Sequence, residues 1–387
     1  MADADSYLKW SAATLDAMPA EWSRRQVLLT SPIAPSSEQV LAATGAAVPR
    51  LSLPALHRLL RREPPDVLLI ACTGPTVAAL TGLPVLRDGA RPVLVTGLPG
   101  ISVPASARAV LHRRDCDLLV VHSRRERAEF GRLVADLAPD LGVALAGLPF
   151  LTRDPTRRAA RGDGGDVVFA AQAKVPERRS DREAILLALA DVRPAGSAVV
   201  KVRALAGEQQ THHEEHSYAD LYTDLCAAGR IRPGSVRFTA GSMIAALERA
   251  RCLVTVSSTA ALEAIDLGVP VVVLDDFGVS DALINTVFAD SGCLGSLADL
   301  RAGRVRRPAA GWLADNYFHP VDEDDLVSRI GELVDRRRAG RLPLRSEPRG
   351  RWRRGRGSAR LLVPGWVLRW IRALRGWGVR TRDRLSR

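Results

Sequence analysis

Three of the chain's seven histidines, His212, His213 and His216, fall within five residues of the polar stretch "KVRALAGEQQTHHEEHSYADL", Lys201 to Leu221. Imidazoles so spaced could bind a metal, meet an anionic substrate or decorate a loop. The metal reading rests on His212, Glu215 and His216, which spell H-x-x-E-H, the inverted zincin signature in which two histidines hold zinc and the glutamate activates water. That motif is short, and the sequence offers no identifiable third ligand.

A second run can also do chemistry. In "CLVTVSSTAALEAIDLGVPVVVLDD" an apolar strand ends in Ser257, Ser258 and Thr259, a helix starts at once, and Gly268 with Pro270 ends it. Small hydroxyls and backbone N–H groups at such a junction suit an anion. Glu263 lies one turn further in, within reach of ribose hydroxyls if phosphates sit at Ser258 and Thr259. The alternative is that Ser257 to Thr259 only cap the helix and Glu263 is a solvated acid of its first turn.

The spacing S-x-x-x-x-E-A-x-x-x-G-x-P after a strand resembles the donor-binding segment of GT-B glycosyltransferases, enzymes with two facing Rossmann-like domains. Residues 3 to 300, including "DSYLKW", "VTGLPGISVPA", "VHSRRERAEF", "THHE" and "DFGVSDALINTVFADSGCLG", resemble an uncharacterised bacterial family of such enzymes. More remotely, the second half is similar to capsule sialyltransferases and CDP-glycerol glycerophosphotransferases. The resemblance implies a nucleotide-sugar donor, a glycan or glycolipid acceptor and no separate cofactor. It also implies a histidine, His212 or His213, that contacts the donor phosphates from the loop after a strand ending in Lys201 and Arg203. The characterised enzymes have proline after their histidine where this chain has a second histidine, so the register stays open between the two. A departing nucleotide gains negative charge, and a lysine, an arginine and an imidazole aimed at it stabilise that charge most in the transition state.

A transferase also needs a base for the acceptor hydroxyl, on a crevice loop of the first domain. Asp5 is the first candidate, with Asp3 and Glu126 behind it, and the turn "GLPG" from Gly97 to Gly100 is expected to shape the acceptor side. No D-x-D pair stands in a donor loop, so metal dependence is not implied.

The elements that must position these residues alternate. Short apolar β-rich runs at Gln26, Val67, Pro92 and Leu118, then "DVVFAAQ", "AVVKVR", "SVRFTAG", "CLVTVSS" and "VPVVVLDD", are separated by helical stretches. In the second half those stretches lie around 182–190, 218–228, 242–251 and 259–267. This is the pattern of parallel sheets covered by helices, and it predicts an α/β protein with two Rossmann-like domains. Residues 1–150 form the expected acceptor domain, 151–166 a linker, 167–335 the donor domain and 336–387 a basic tail. The first domain looks short of its opening strand, because "DADSYLKW" reads as a crevice loop running into a helix. That strand is either missing or upstream of Met1.

Charge is concentrated at one end. Residues 336–387 carry 18 arginines against Glu347 and Asp383, so the tail holds +16 of a net +12 and the rest sums to −4. An acidic body argues against nucleic acid as a partner. In the tail, Trp366, Trp370, Leu374 and Trp377 share one helical face and Arg369, Arg372, Arg375 and Arg380 the other, the pattern of an interfacial helix on anionic lipid. The alternative is a helix packed on the body. The N-terminus has no basic segment leading into an apolar one, and no run of about 18 apolar residues occurs. The five cysteines form no C-x-x-C pair. The expected location is cytoplasmic, peripheral at the inner face of the plasma membrane if the tail binds lipid.

Overall fold

The computed structural model describes residues 1–343 other than 32, 155, 157–163 and 203–215. Arg203, His212, His213, Glu215 and the tail helix therefore lie outside the described residues.

Two parallel sheets organise the chain. In the first half, β1 (Leu28–Leu29) pairs with β2 (Arg50–Leu51), and β3 (Val67–Ile70), β4 (Val93–Gly97), β5 (Leu118–Val121) and β6 (Gly142–Leu145) follow in order. Met1 and Ala2 join the two sets. Ala2 bridges Leu28 on one side and Ala71 on the other, Leu29 N donates to Ala2 O at 2.7 Å and Ala71 N to Met1 O at 2.9 Å. The place of the opening strand, which the sequence pattern leaves vacant, is occupied by these two residues. The order across the sheet is then β2, β1, Met1–Ala2, β3, β4, β5, β6.

The second sheet contains β7 (Asp166–Ala170), β8 (Ala198–Lys201), β9 (Val236–Thr239), β10 (Ala250–Thr255), β11 (Val271–Leu274) and β12 (Leu294–Gly295), in the order β9-β8-β7-β10-β11-β12. This is the doubly wound order, whose direction reverses between β7 and β10, and ligands of such sheets sit at the carboxyl ends of the strands beside that reversal. The apolar runs are continuous because both faces are covered by helices: β5, β8 and β11 are buried at every position, whereas edge strand β9 is buried only at Val236. The fold is of GT-B type.

The helix expected around 242–251 is shorter than its sequence suggests. It spans Met243–Leu247, because Ala250 already pairs with Asp166 and opens β10. The strands β2, β6 and β12 have no counterpart in the sequence pattern.

The halves are tied by polar contacts and by a return of the chain. Thr152 N, Thr152 Oγ1 and Arg153 N donate to the buried Asp266 carboxylate at 2.8, 2.9 and 2.8 Å, and Arg153 pairs with Asp324. Arg124 pairs with Glu323 and Arg127 with Asp325. The helix Leu326–Arg338 then packs on the first sheet, where Leu326 and Ile330 join Ala2, Leu8 and Trp10 in one core.

Candidate active site

The strand ends of the second sheet carry most of the candidate residues. β7 and β10 are linked across the reversal by Gln172, whose Oε1 accepts from Ser257 N at 3.0 Å and Ser257 Oγ at 3.1 Å. Thr255 Oγ1 donates to Ala170 O and accepts from Ser258 N at 3.1 Å, so this turn is fixed from both strands. Ser258 Oγ accepts from Ala260 N at 3.2 Å, which is a capping contact and leaves the hydroxyl proton to donate elsewhere. Thr259 stands at the N-cap of helix Ala260–Asp266 with no side-chain cap bond. Ser257 is therefore spent on holding the turn, while Ser258 and Thr259 keep donors to offer.

Lys201 ends β8. It is buried, and Nζ donates to Val202 O at 2.9 Å. Glu263 is half-buried one turn into its helix; burial raises its carboxyl above the ordinary value, and the charges of Lys9 and Lys201 pull it back. Lys9 belongs to the first half. Its Nζ pairs with Asp5 Oδ2 at 2.9 Å, both on helix Asp5–Asp16, and Asp5 Oδ1 is enclosed without a hydrogen-bond partner among the described residues. The charge of Lys9, in the first half, thus acts on Glu263 in the second.

The "GLPG" turn approaches the same place. Gly97 ends β4 against the Trp10 indole, and a Cβ there would lie 2.6 Å from the ring, so only glycine fits. A Cβ on Gly100 would lie 3.2 Å from Thr259 Cγ2, which brings the turn of the first half against the helix start of the second. Trp10 is itself held: Nε1 donates to His122 Nε2 at 2.9 Å, and His122 Nδ1 donates to Ala146 O at 2.9 Å. Burial lowers His122 to about 4, which keeps the ring neutral and able to accept from the indole.

Asp3 and Glu126 face inward. Asp3 is wholly buried, and its carboxylate accepts from Thr73 N at 3.0 Å and Thr73 Oγ1 at 2.7 Å, where helix Gly74–Leu80 begins. Glu126 accepts from His122 N at 2.7 Å, Ser102 N at 2.8 Å and Tyr317 Oη at 2.6 Å, and burial raises it to about 7. Both carboxylates are enclosed and engaged in holding backbone, whereas Asp5 is partly open. Of the histidine cluster, His216 is described: its carbonyl accepts from the buried Arg182 Nη1 at 2.6 Å, and Arg182 Nη2 also donates to Ala173 O at 2.7 Å. That guanidinium ties the exit of the histidine loop to the loop after β7. Among the described residues, no group of His, Cys, Asp or Glu could hold a metal ion.

The structure places Lys201, Ser257 to Thr259 and Glu263 at the strand ends and helix start expected from the sequence pattern, and Asp5 at the first position of its helix rather than in the loop before it. The sequence pattern missed Gln172, although the residue stands where β7 ends, and Lys9, which the i, i+4 spacing from Asp5 could have shown.

Residues 1–333 match the family described as "Putative glycosyltransferase (DUF6716)". The chain belongs to that family. A search of curated proteins finds no match. Among solved structures, the chain is similar to the UDP co-structure of S. aureus MnaA, at 13% identity and a TM-score of 0.52, over 88% of this chain and 96% of that one. It is also similar to the UDP-GlcNAc 2-epimerase of Neisseria meningitidis bound to UDP-GlcNAc, at 12% identity and a TM-score of 0.50, over 86% and 96%. At such identities the likeness concerns the fold. The family makes the chain a glycosyltransferase.

Proposed function

We propose that the chain transfers a sugar from a nucleotide-activated donor, bound at the strand ends of the second sheet, to a glycan or glycolipid acceptor at the first. The observation that carries this reading is the approach of Gly100 in the first half to Thr259 in the second, which supports one crevice between the two sheet edges, and the charge of Lys9 acts on Glu263 across it.

In that crevice Ser258 and Thr259 donate to donor phosphate, and Glu263 accepts from ribose hydroxyls. Lys201, with Arg203 and His212 or His213 carried over from the family resemblance, stabilises charge on the leaving nucleotide. Asp5 takes the acceptor proton as the acceptor oxygen bonds to the anomeric carbon. The bond from that carbon to phosphate oxygen breaks, and its electron pair leaves with the nucleotide. Lys9 orients the Asp5 carboxylate through their ion pair until then. The binding of UDP and of UDP-GlcNAc by proteins of similar fold supports the nucleotide-sugar class.

The acceptor is proposed to belong to cell-surface polysaccharide or glycolipid assembly, with the basic tail holding the enzyme at an anionic inner leaflet. Among the described residues no helix is long and apolar enough to cross a membrane.

Thermal-shift titration with UDP-, CDP-, CMP- and GDP-sugars, followed by assay of free nucleotide with and without glycolipid acceptor, tests the reading. Stabilisation by one donor and acceptor-dependent nucleotide release are expected. Binding without release in any acceptor panel would favour a nucleotide-sugar sensor. The His212→Ala/His213→Ala variant should lose transfer while staying folded, in protein without stoichiometric zinc. Zinc near one equivalent, lost together with activity, would favour the hydrolase reading.

A further inference from the structure

At the opposite end of the second sheet, where β10 and β11 begin, lies an open cavity of about 440 Å³. Arg193, Arg251, Arg301 and Arg307 line it over an apolar floor that includes Pro270 and Leu300. Three of these guanidinium groups have a fixed anchor: Arg251 Nη2 donates to Arg193 O, Arg301 Nε to Asp191 Oδ2 at 3.1 Å, and Arg307 Nη1 to Gly268 O at 3.1 Å. A guanidinium has five N–H donors, so an anchor through one of them orients Arg251 and Arg301 without exhausting them.

Nearby acid does little to offset this charge. Asp191 is shared with Arg301, and Asp299 is engaged elsewhere: it receives Ser296 N, Arg304 and Arg306, which together hold its carboxyl well below the ordinary carboxylate range. Outside the tail the chain sums to −4, so four cations around one hollow stand against the general charge of the body. A concave surface of one sign focuses potential, and planar guanidinium forks match phosphate oxygens in pairs. The volume falls within the roughly 300–1,000 Å³ of small-ligand sites.

We propose that this cleft is a second anion site, separate from the donor crevice, which takes a phosphate-bearing small group whose uncharged part rests on the Pro270–Leu300 floor. The phosphate belongs either to a dissolved molecule or to the headgroup of an anionic lipid; the recognition chemistry is the same. The site does not depend on the donor assignment, since it lies at the other edge of the sheet.

Hydrogen–deuterium exchange of the full-length protein over residues 191–197 and 299–308 tests it, with inorganic pyrophosphate in one arm and vesicles of equal phosphatidylcholine and phosphatidylglycerol in the other. Protection by pyrophosphate, with a midpoint weakened about tenfold in the Arg193→Ser/Arg251→Ser variant, is expected for a dissolved ligand. Protection by the vesicles alone, lost in the same variant, would assign the lipid headgroup. The Arg58→Ser/Arg61→Ser variant removes equal charge from two exposed positions of the helix Leu53–Arg62 in the first half and should change neither arm, which separates the cleft from general attraction to the tail. If the cleft variant misfolds, Arg301→Gln, at an exposed side chain, provides the same readout. Absence of protection in both arms, or equal weakening in the cleft and control variants, would overturn the proposal.

Discussion

The two sheets reverse their strand order in the same way, yet their reversal points are used differently. In the first, Asp3 follows Met1–Ala2, is wholly buried and gives its carboxylate to Thr73 at the end of β3. In the second, Gln172 performs the corresponding bridging after β7, taking Ser257 N and Oγ with a neutral amide. Bridging by an amide adds no charge of its own to an edge that already carries Lys201 and Glu263. The first edge closes on itself with its acid and shows the crevice Asp5 and Lys9 from the next turn of chain. One topology thus yields a locked edge and a charged one, and the difference lies in which group spans the reversal.

Breaking the two edges should therefore produce different losses. Asp5→Asn is expected to lower kcat by about 10²- to 10⁴-fold, the range for loss of a general base, with little change in Tm. A variant of near-normal rate would remove Asp5 from the chemistry. Asp3→Ala should do the reverse: about 1–3 kcal/mol of stability lost in a denaturant melt, because the half-buried Thr73 N loses its acceptor while Thr73 Oγ1 keeps only Thr76 Oγ1. An unchanged midpoint would mean that the locked edge is held by something else.

Much of this arrangement is legible in the sequence because parallel strands buried on both faces read as runs such as "LLVV" and "VVVL", and because their ends carry Ser, Thr, Gly or Lys. The strands β2 and β12, two residues each, are too short to have a pattern, and "GVAL" of β6 shows no β-rich run. Lys201 and Glu263 were recognisable from strand-end and helix-start positions. Gln172 and the Glu126–Tyr317 bond were not, since each depends on a partner elsewhere, 191 residues away in the second case. The helix at Met243–Leu247 ends where pairing with Asp166 begins, which no local propensity encodes.

Two smaller effects sharpen the contrast. Glu263→Ala should weaken binding of the best nucleotide of the panel about tenfold, the value of one charged hydrogen-bond partner, and should leave the fold intact. Undiminished affinity in calorimetry would reduce Glu263 to a helix acid.

The second effect is a pH dependence from Glu126, which joins the first half to Tyr317. Burial raises its carboxyl to about 7, above its unfolded value, so the folded protein holds a proton that the unfolded chain releases. The resulting stability is present at low pH and is lost as pH rises through about 7. Between pH 6 and 8 the wild type should lose on the order of 1 kcal/mol relative to Glu126→Gln, which cannot titrate. A difference between the two proteins that is constant with pH would show that the carboxyl does not change its protonation in this range.

The central claim is that the two sheet edges form one site, and a double-mutant cycle on nucleotide affinity tests it most directly. Lys9→Met, Glu263→Gln and the double variant are titrated with the nucleotide diphosphate that stabilises the wild type most. Lys9 belongs to the first half and Glu263 to the second, and the charge of Lys9 acts on Glu263. The account predicts a coupling energy of about 0.5–3 kcal/mol, as found for residues that share a partner. Additivity to within about 0.3–0.5 kcal/mol would contradict it, because independent sites behave that way and a shared crevice does not.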